Sequence, residues 1–168
     1  MTNNDILRRL RYVFDLDDSE MIKIFALGDK NVTRAEVSDW LKRDDDPAYV
    51  ACIDLVLATF LNGFIIARRG AREGPKPQHE DQLNNNLILV KLRIALALGS
   101  DQLLALIQSA GFMISKHELS ALFRKPTHRQ YRVCKDQILR NFLRGLQLHY
   151  RATPSPEETE SNGTKDSV

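Results

Sequence analysis

Residues 3–16 read NNDILRRLRYVFDL, and residues 85–98, which lie 82 positions further along the chain, read NNLILVKLRIALAL. The same shift aligns residues 3–69 with residues 85–151 without a gap, and 17 of the 67 aligned positions are identical. The identities occur in order along both segments. Because self-similarity at one fixed spacing is the signature of repeated structural units, the sequence predicts two tandem copies of one fold.

The first helix of each copy is marked by an apolar stripe that follows a pair of asparagines. Ile6, Leu7 and Leu10 fall on one face of a helix. Asparagine side chains often accept hydrogen bonds from the free amides at the start of a helix. We therefore interpret the pairs Asn3-Asn4 and Asn85-Asn86 as N-caps.

Three further helices are expected in each copy. Asp17 or Ser19 can cap the second helix. A capping box, Thr33 to Glu36, opens the third, and it recurs in the second copy as Ser115 to Glu118. The fourth helix is expected at about residues 54–68 and again at 136–151. Since no segment has the alternating pattern of a β-strand, the predicted fold class is all-α.

The fourth helix of each copy contains a glycine, Gly63 and its counterpart Gly145. Glycine inside a helix costs roughly 1 kcal/mol relative to alanine, so its presence in both copies calls for a reason. Either the residue is tolerated drift, or the backbone closely approaches another helix there. We favour close packing, with the equivalent helix of the other copy as one candidate partner.

The chain divides into four segments. Residues 1–70 form the first helical repeat, residues 71–82 a linker rich in proline and glycine, and residues 83–151 the second repeat. Residues 152–168 contain no large apolar residue except the final valine, so we expect a disordered tail. The predicted architecture is two similar four-helix units related by an approximate two-fold axis.

Composition is that of an ordinary globular protein, with 43% hydrophobic and 27% charged residues. No apolar run approaches the roughly 18 residues that a membrane span requires, and the first eleven residues are too polar for a secretory signal. The two cysteines, Cys52 and Cys134, stand far apart, as expected of neither a disulfide framework nor a clustered zinc site. We expect a cytoplasmic protein.

Several of these stretches resemble a known family. The opening NNDILRRLRYVFDL, the stretch WLKRDDDPAY, and the later LNNNLILVKLRIALAL and FRKPTHRQYRVCKDQILRNFLRG are similar to the uncharacterised bacterial YehS-like family. Its members carry a duplicated domain of unknown function. The resemblance covers residues 1–151 and implies a bacterial cytosolic protein, but no activity and no catalytic residues.

No catalytic or metal-binding constellation is evident in the sequence. Cys52 and Cys134 each stand two residues before an aspartate, which would suit a nucleophile at a helix start, but the first copy has no histidine that could act as its base. A small buried residue is the better interpretation. We expect no cofactor, no metal and no enzymatic activity.

The second and third helices of each copy invite comparison with a helix-turn-helix. Their connection is long for the DNA-reading form, and Glu36 and Asp39 lie on the helix that would read DNA. An ordinary helical corner is the favoured interpretation.

Charge is distributed very unevenly along the chain. Residues 1–70 have a net charge of −2, residues 71–82 of −1, residues 83–151 of +8 and residues 152–168 of −3. A nearly neutral protein therefore contains a strongly basic half. We single out the candidate nucleic-acid-binding residues of that half: Arg124, Lys125, Arg129, Arg132, Lys135, Arg140, Arg144 and Arg151.

The last three of these residues share one face of the fourth helix, opposite its apolar stripe. The functional hypothesis is a non-enzymatic binding protein whose second repeat contacts nucleic acid, and RNA or a ribonucleoprotein is favoured over a specific DNA operator. The alternative is a protein–protein adaptor that docks an acidic partner through the same face. A third interpretation is that the basic face contacts only solvent and binds no partner.

Overall fold

The computed structural model describes residues 1–151, and within that range the chain is all-α. The predicted disordered tail lies outside the described residues. Each helix of the first repeat begins 82 residues before its counterpart in the second, so the predicted duplication is confirmed. The helices are α1 (Asn3–Val13), α2 (Asp18–Leu27), α3 (Arg34–Trp40), α4 (Asp54–Arg69), α5 (Asn85–Ala95), α6 (Ser100–Ser109), α7 (Lys116–Ala121) and α8 (Asp136–Tyr150).

Side-chain caps fix where several of these helices begin. Thr33 and Glu36 bond each other's main-chain amides, as predicted, and Asp17 forms a similar box at the start of α2. In the second repeat, Ser115 accepts from the amide of Glu118, but the return bond is not formed. The shared sequence pattern therefore yields a reciprocal cap in one repeat and a one-way cap in the other.

The predicted capping role of the asparagine pairs is wrong. Thr2 caps α1 and Asn84 caps α5, so both pairs lie inside the helices. The side chain of Asn4 is buried and its Nδ2 donates to the carbonyls of Trp40 and Val50, at 2.9 and 2.8 Å. Its Oδ1 accepts from the amide of Cys52 at 2.8 Å. Asn4 thus ties α1 to the loop that precedes α4.

The second repeat contains the same arrangement, a buried asparagine that bonds the main chain of a distant loop, which we call the asparagine bracket. The Nδ2 of Asn86 donates to the carbonyls of Leu122 and Arg132, at 3.0 and 2.8 Å, and its Oδ1 accepts from the amide of Cys134 at 2.9 Å. Main-chain groups that are buried need hydrogen-bond partners, and here one asparagine side chain is the partner of three such groups. Asn86 therefore fixes the path of the loop between α7 and α8.

The repeated glycine marks a close helix crossing, as predicted, but within one repeat. A Cβ atom on Gly63 would lie 2.0 Å from the carbonyl oxygen of Ile24 in α2. A Cβ atom on Gly145 would lie 2.0 Å from the carbonyl oxygen of Leu106 in α6. The suggested partner, the equivalent helix of the other copy, is wrong, because each glycine faces the second helix of its own repeat.

The two repeats pack on each other reciprocally. Helix α5 of the second repeat lies against α4 of the first, and α1 lies against α8. The amide of Leu83 donates to the carboxylate of Asp54 at 2.9 Å, and the main-chain nitrogen of Met1, the equivalent residue, donates to Asp136 at 3.0 Å. Exchanging the repeats exchanges these contacts, as an approximate two-fold axis requires. The buried apolar residues of both repeats form one continuous core.

Candidate nucleic-acid interface

Five of the eight predicted basic residues lie in the loop between α7 and α8, at its start or within it. Arg124 is half-buried, and its Nε has no hydrogen-bond partner in residues 1–151. The other four side chains are exposed. Since Asn86 holds the carbonyl of Arg132, the loop is fixed while its cationic side chains face solvent. These four residues are Lys125, Arg129, Arg132 and Lys135.

Two more predicted residues, Arg140 and Arg144, are exposed on the surface of α8. The nearest acidic residue along the helix is Asp136, one turn before Arg140, but its carboxylate bonds Asn85 at 2.8 Å and the nitrogen of Met1 at 3.0 Å. These bonds, from Asn85 first, keep the pKa of Asp136 below its usual value, and Arg140 adds to this through its charge alone. The ordinary helix pair that would neutralise Arg140 is therefore not made.

The eighth residue, Arg151, lies apart from the rest. Helix α8 spans roughly 21 Å, so its C-terminal end is distant from the basic loop. The guanidinium of Arg151 lies 3.5 Å from the carboxylate of Asp15 and over the ring of Tyr12, at 4.5 Å from the centroid. Arg151 thus joins the two repeats, and the structure does not bring it together with the loop residues.

The two repeats differ in their number of carboxylates, which is twelve in residues 1–70 and three in residues 83–151. In the first repeat, Arg8, Arg11 and Lys42 each bond a carboxylate of the same repeat. The seven candidates other than Arg151 form no ion pair within the described range 1–151, and neither do the other seven lysines and arginines of the first repeat, so the repeats differ in carboxylates and not in the share of paired cations. One such difference is visible at a single position, where Lys42 pairs with Asp39 and the counterpart of Asp39 is Ala121. The basic charge of the second repeat is thus uncompensated over this part of the surface.

A polar clasp that the sequence did not predict lies between α4, α5 and the linker. The ammonium of Lys91 is 2.6 Å from the Glu80 carboxylate and donates to Oδ1 of Asn62 at 2.7 Å. The two ring nitrogens of His79 lie 2.8 Å from the Asn62 amide nitrogen and 2.6 Å from the carbonyl oxygen of Gly28. Burial alone would raise the pKa of Glu80, but the bond and charge of Lys91 outweigh it and lower that pKa.

The two thiols are buried beside the asparagine brackets. Burial, reinforced by the nearby carboxylate of Asp54, raises the pKa of Cys52 to about 12. Burial likewise raises the pKa of Cys134 to about 11. A nucleophilic cysteine requires a thiolate near neutral pH, which these surroundings oppose. The interpretation of both residues as small core residues accounts for their position.

Comparison with known proteins identifies the family of the chain. The family described as "Protein of unknown function (DUF1456)" matches it twice, at residues 3–70 and 85–152. The chain belongs to this family. A relative, "Uncharacterized protein YehS" of Escherichia coli (strain K12), is 42% identical over 147 residues, which are 87% of this chain and 94% of the relative. No solved structure matches the chain.

The two matched segments correspond to the two repeats, so the duplication seen in the fold is also a property of this DUF1456 member's sequence. The resemblance to the YehS-like family is confirmed. None of the helices in residues 1–151 is long and apolar enough to cross a membrane.

Proposed function

We propose that this protein is a non-enzymatic binding protein of the cytosol whose basic second repeat contacts nucleic acid. The observation that carries the proposal is the excess of eleven lysines and arginines over three carboxylates in residues 83–151, where seven candidate side chains form no ion pair within residues 1–151. Uncompensated arginines and lysines on one side of a protein are the electrostatic footprint of a polyanion site.

The chemistry of this surface favours contacts to phosphates over the recognition of bases. Tyr150 packs against Phe14, with ring centroids 4.9 Å apart, and Tyr131 is half-buried, so neither offers a free platform for base stacking. Arginine and lysine contacts to phosphates position a nucleic acid without reading its sequence. Binding of broad sequence range is the expected outcome.

The short third helices argue against a specific DNA operator. Helix α3 has seven residues and α7 has six, and each follows a connection of six residues, at 28–33 and 110–115. A DNA-reading helix-turn-helix has a connection of about 3–4 residues and a helix long enough to enter the major groove. RNA or a ribonucleoprotein is therefore the proposed ligand class.

The buried cysteines support a non-enzymatic protein in a reducing compartment. Their raised pKa values oppose nucleophilic chemistry, and both occur as free thiols. Free, buried thiols are typical of cytosolic proteins, in which disulfides are rare.

The proposal is tested by fluorescence anisotropy with labelled mixed-sequence RNA and protein freed of nucleic acid by nuclease. R140E/R144E should abolish binding at low salt and leave the helical circular dichroism intact, because both side chains are exposed. The matched control is R43E/R69E on the first repeat, where both arginines are also exposed. Arg68 is unsuitable as a control because it stacks on Phe14. Equal loss in both variants would contradict the proposal.

The alternative function is an adaptor that docks an acidic protein through the same face. One observation favours the adaptor. In the clasp, Lys91 and Asn62 hold the carboxylate of Glu80 between two helices, so this fold can bind a carboxylate where two helices meet. The ratio of absorbance at 260 and 280 nm, measured on freshly purified protein before and after nuclease, separates the two functions. A ratio that nuclease does not change, with no RNA affinity afterwards, would favour the adaptor.

A further inference from the structure

We propose that Arg9 of the first repeat completes a phosphate site with Arg144 of the second, so that the anion-binding surface is built from both repeats. This inference rests on the proposed function and assigns one ligand contact within it. The ligand chemistry is a single phosphate group of a nucleic-acid backbone. Neither the charge count of the second repeat nor the resemblance to the family points to Arg9, which belongs to the repeat of opposite net charge.

The register of α1 on α8 places the two arginines side by side. Met1 contacts Asp136 at one end of the pair, with a sequence separation of 135. At the other end Phe14 packs on Tyr150, a separation of 136. The helices thus run parallel and in step, and residue 9 falls opposite residue 144.

The equivalent seam, between α5 and α4, shows this juxtaposition directly. The counterpart of Arg9 is Lys91 and the counterpart of Arg144 is Asn62, and the Lys91 ammonium lies 2.7 Å from the Asn62 side-chain oxygen. The approximate two-fold axis therefore predicts that the Arg9 and Arg144 side chains reach a common point.

The contact between α5 and α4 also shows which group can bind at such a point. Lys91 and Asn62 bind the carboxylate of Glu80, at 2.6 and 3.4 Å, and together they carry one positive charge. Between α1 and α8 the same two positions carry two guanidinium groups. Two planar donor forks suit the several oxygens of a phosphate better than they suit a single carboxylate.

Arg9 has the properties of a residue available for this role. It is half-buried between neighbours that are already engaged, since Arg8 bonds Asp5 and Arg11 bonds Asp18. Arg9 itself forms no ion pair within residues 1–151, and Arg144 forms none there either. Partial burial of Arg9 limits the motion of its side chain.

The test measures how RNA affinity of the full chain depends on salt in R9A, R9K and the control R43A. One fully neutralised phosphate of a single strand contributes about 0.7 to the slope of log affinity against log salt, so R9A should weaken binding and make the slope shallower by up to about 0.7, and R43A should do neither. R9K restores the charge and should restore most of the slope. A further variant, R9K/R144N, copies the Lys91–Asn62 pair found between α5 and α4, and it should again make the slope shallower by up to about 0.7 while the fold is preserved.

The outcomes distinguish this inference from the proposed function. If R9A binds like the unmodified protein while R140E/R144E does not bind, the composite site is wrong and the proposed function stands. If R9A loses affinity and R9K does not recover it, Arg9 acts through packing, and the composite site is also wrong. If the unmodified protein has no affinity for RNA at low salt, the proposed function itself fails.

Discussion

Replacing Asn4 by alanine should destabilise the protein far more than an ordinary polar substitution. The side chain is 1% exposed and makes hydrogen bonds to three main-chain groups, the carbonyls of Trp40 and Val50 and the amide of Cys52. It also accepts from the hydroxyl of Tyr49 at 3.1 Å. Alanine would leave all of these groups without their partner.

The magnitude follows from those unpaired groups. Each buried group that loses its partner costs about 1–3 kcal/mol, so three main-chain groups imply a loss of about 3–5 kcal/mol if a water restores part of the bonding. Total stabilities of about 5–15 kcal/mol are usual, so the loss is a large fraction. For a chain of this size, about 1 kcal/mol shifts Tm by roughly 2–4 °C, which predicts a drop of about 6–20 °C for Asn4→Ala.

Urea denaturation followed by circular dichroism measures this loss, and Asn85→Ala is the matched control. Asn85 lies at the same kind of helix start but makes only two bonds, to the carbonyl of Cys134 and the carboxylate of Asp136. We expect its loss to cost at most about 1.5 kcal/mol. If Asn4→Ala cost under about 1 kcal/mol, or no more than Asn85→Ala, the bracket would not be what fixes the loop before α4.

Three further predictions concern packing, the thiols and the clasp. Gly145→Ala should cost at least about 2 kcal/mol in urea denaturation, because its Cβ would lie 2.0 Å from a carbonyl oxygen of α6; a neutral effect would contradict the close crossing. Cys52 and Cys134 should not react with a thiol reagent at about pH 8 until the protein is unfolded, and their contribution to stability should fall as the pH rises from about 9 towards 11–12. Glu80→Gln should lower Tm by a few degrees at neutral pH. Because the pKa of Glu80 is lowered from 4.5 in the folded protein, that difference should begin to shrink below pH 4.5 and vanish once the pH has fallen through the lowered pKa, and a difference that persisted in stronger acid would refute the ion-pair account.

Local sequence patterns predicted much of the fold. Helix periodicity and the capping boxes depend on residues a few positions apart, so the sequence predicted the helices of both repeats, and the gapless alignment predicted their shared order. The capping role assigned to the asparagine pairs was wrong because an asparagine ahead of an apolar stripe looks the same whether it caps the helix or brackets a distant loop. Only the contacts to residues 36 to 48 positions away decide between the two.

Long-range geometry accounts for what the sequence left open at the site. Counting charges identified the basic repeat, but it could not show that Arg151 pairs with Asp15 or that Asp136 is occupied by Asn85. Both contacts depend on which helix packs on which. The clasp around Glu80 likewise requires the linker to fold back on α4, and its one sequence signal was a polar residue, Asn62, in the mostly apolar middle of that helix.

The salt dependence of RNA binding by the unmodified, nuclease-treated protein tests the central claim most directly. If Arg140 contacts one phosphate of a single strand and Arg9 and Arg144 share another, log affinity should fall linearly with log salt, with a slope of roughly −1.4 or steeper, because each neutralised phosphate releases condensed counterions. We expect this slope for mixed-sequence RNA and a shallower slope in R9A. A slope near zero, or no measurable affinity at low salt, would contradict the claim.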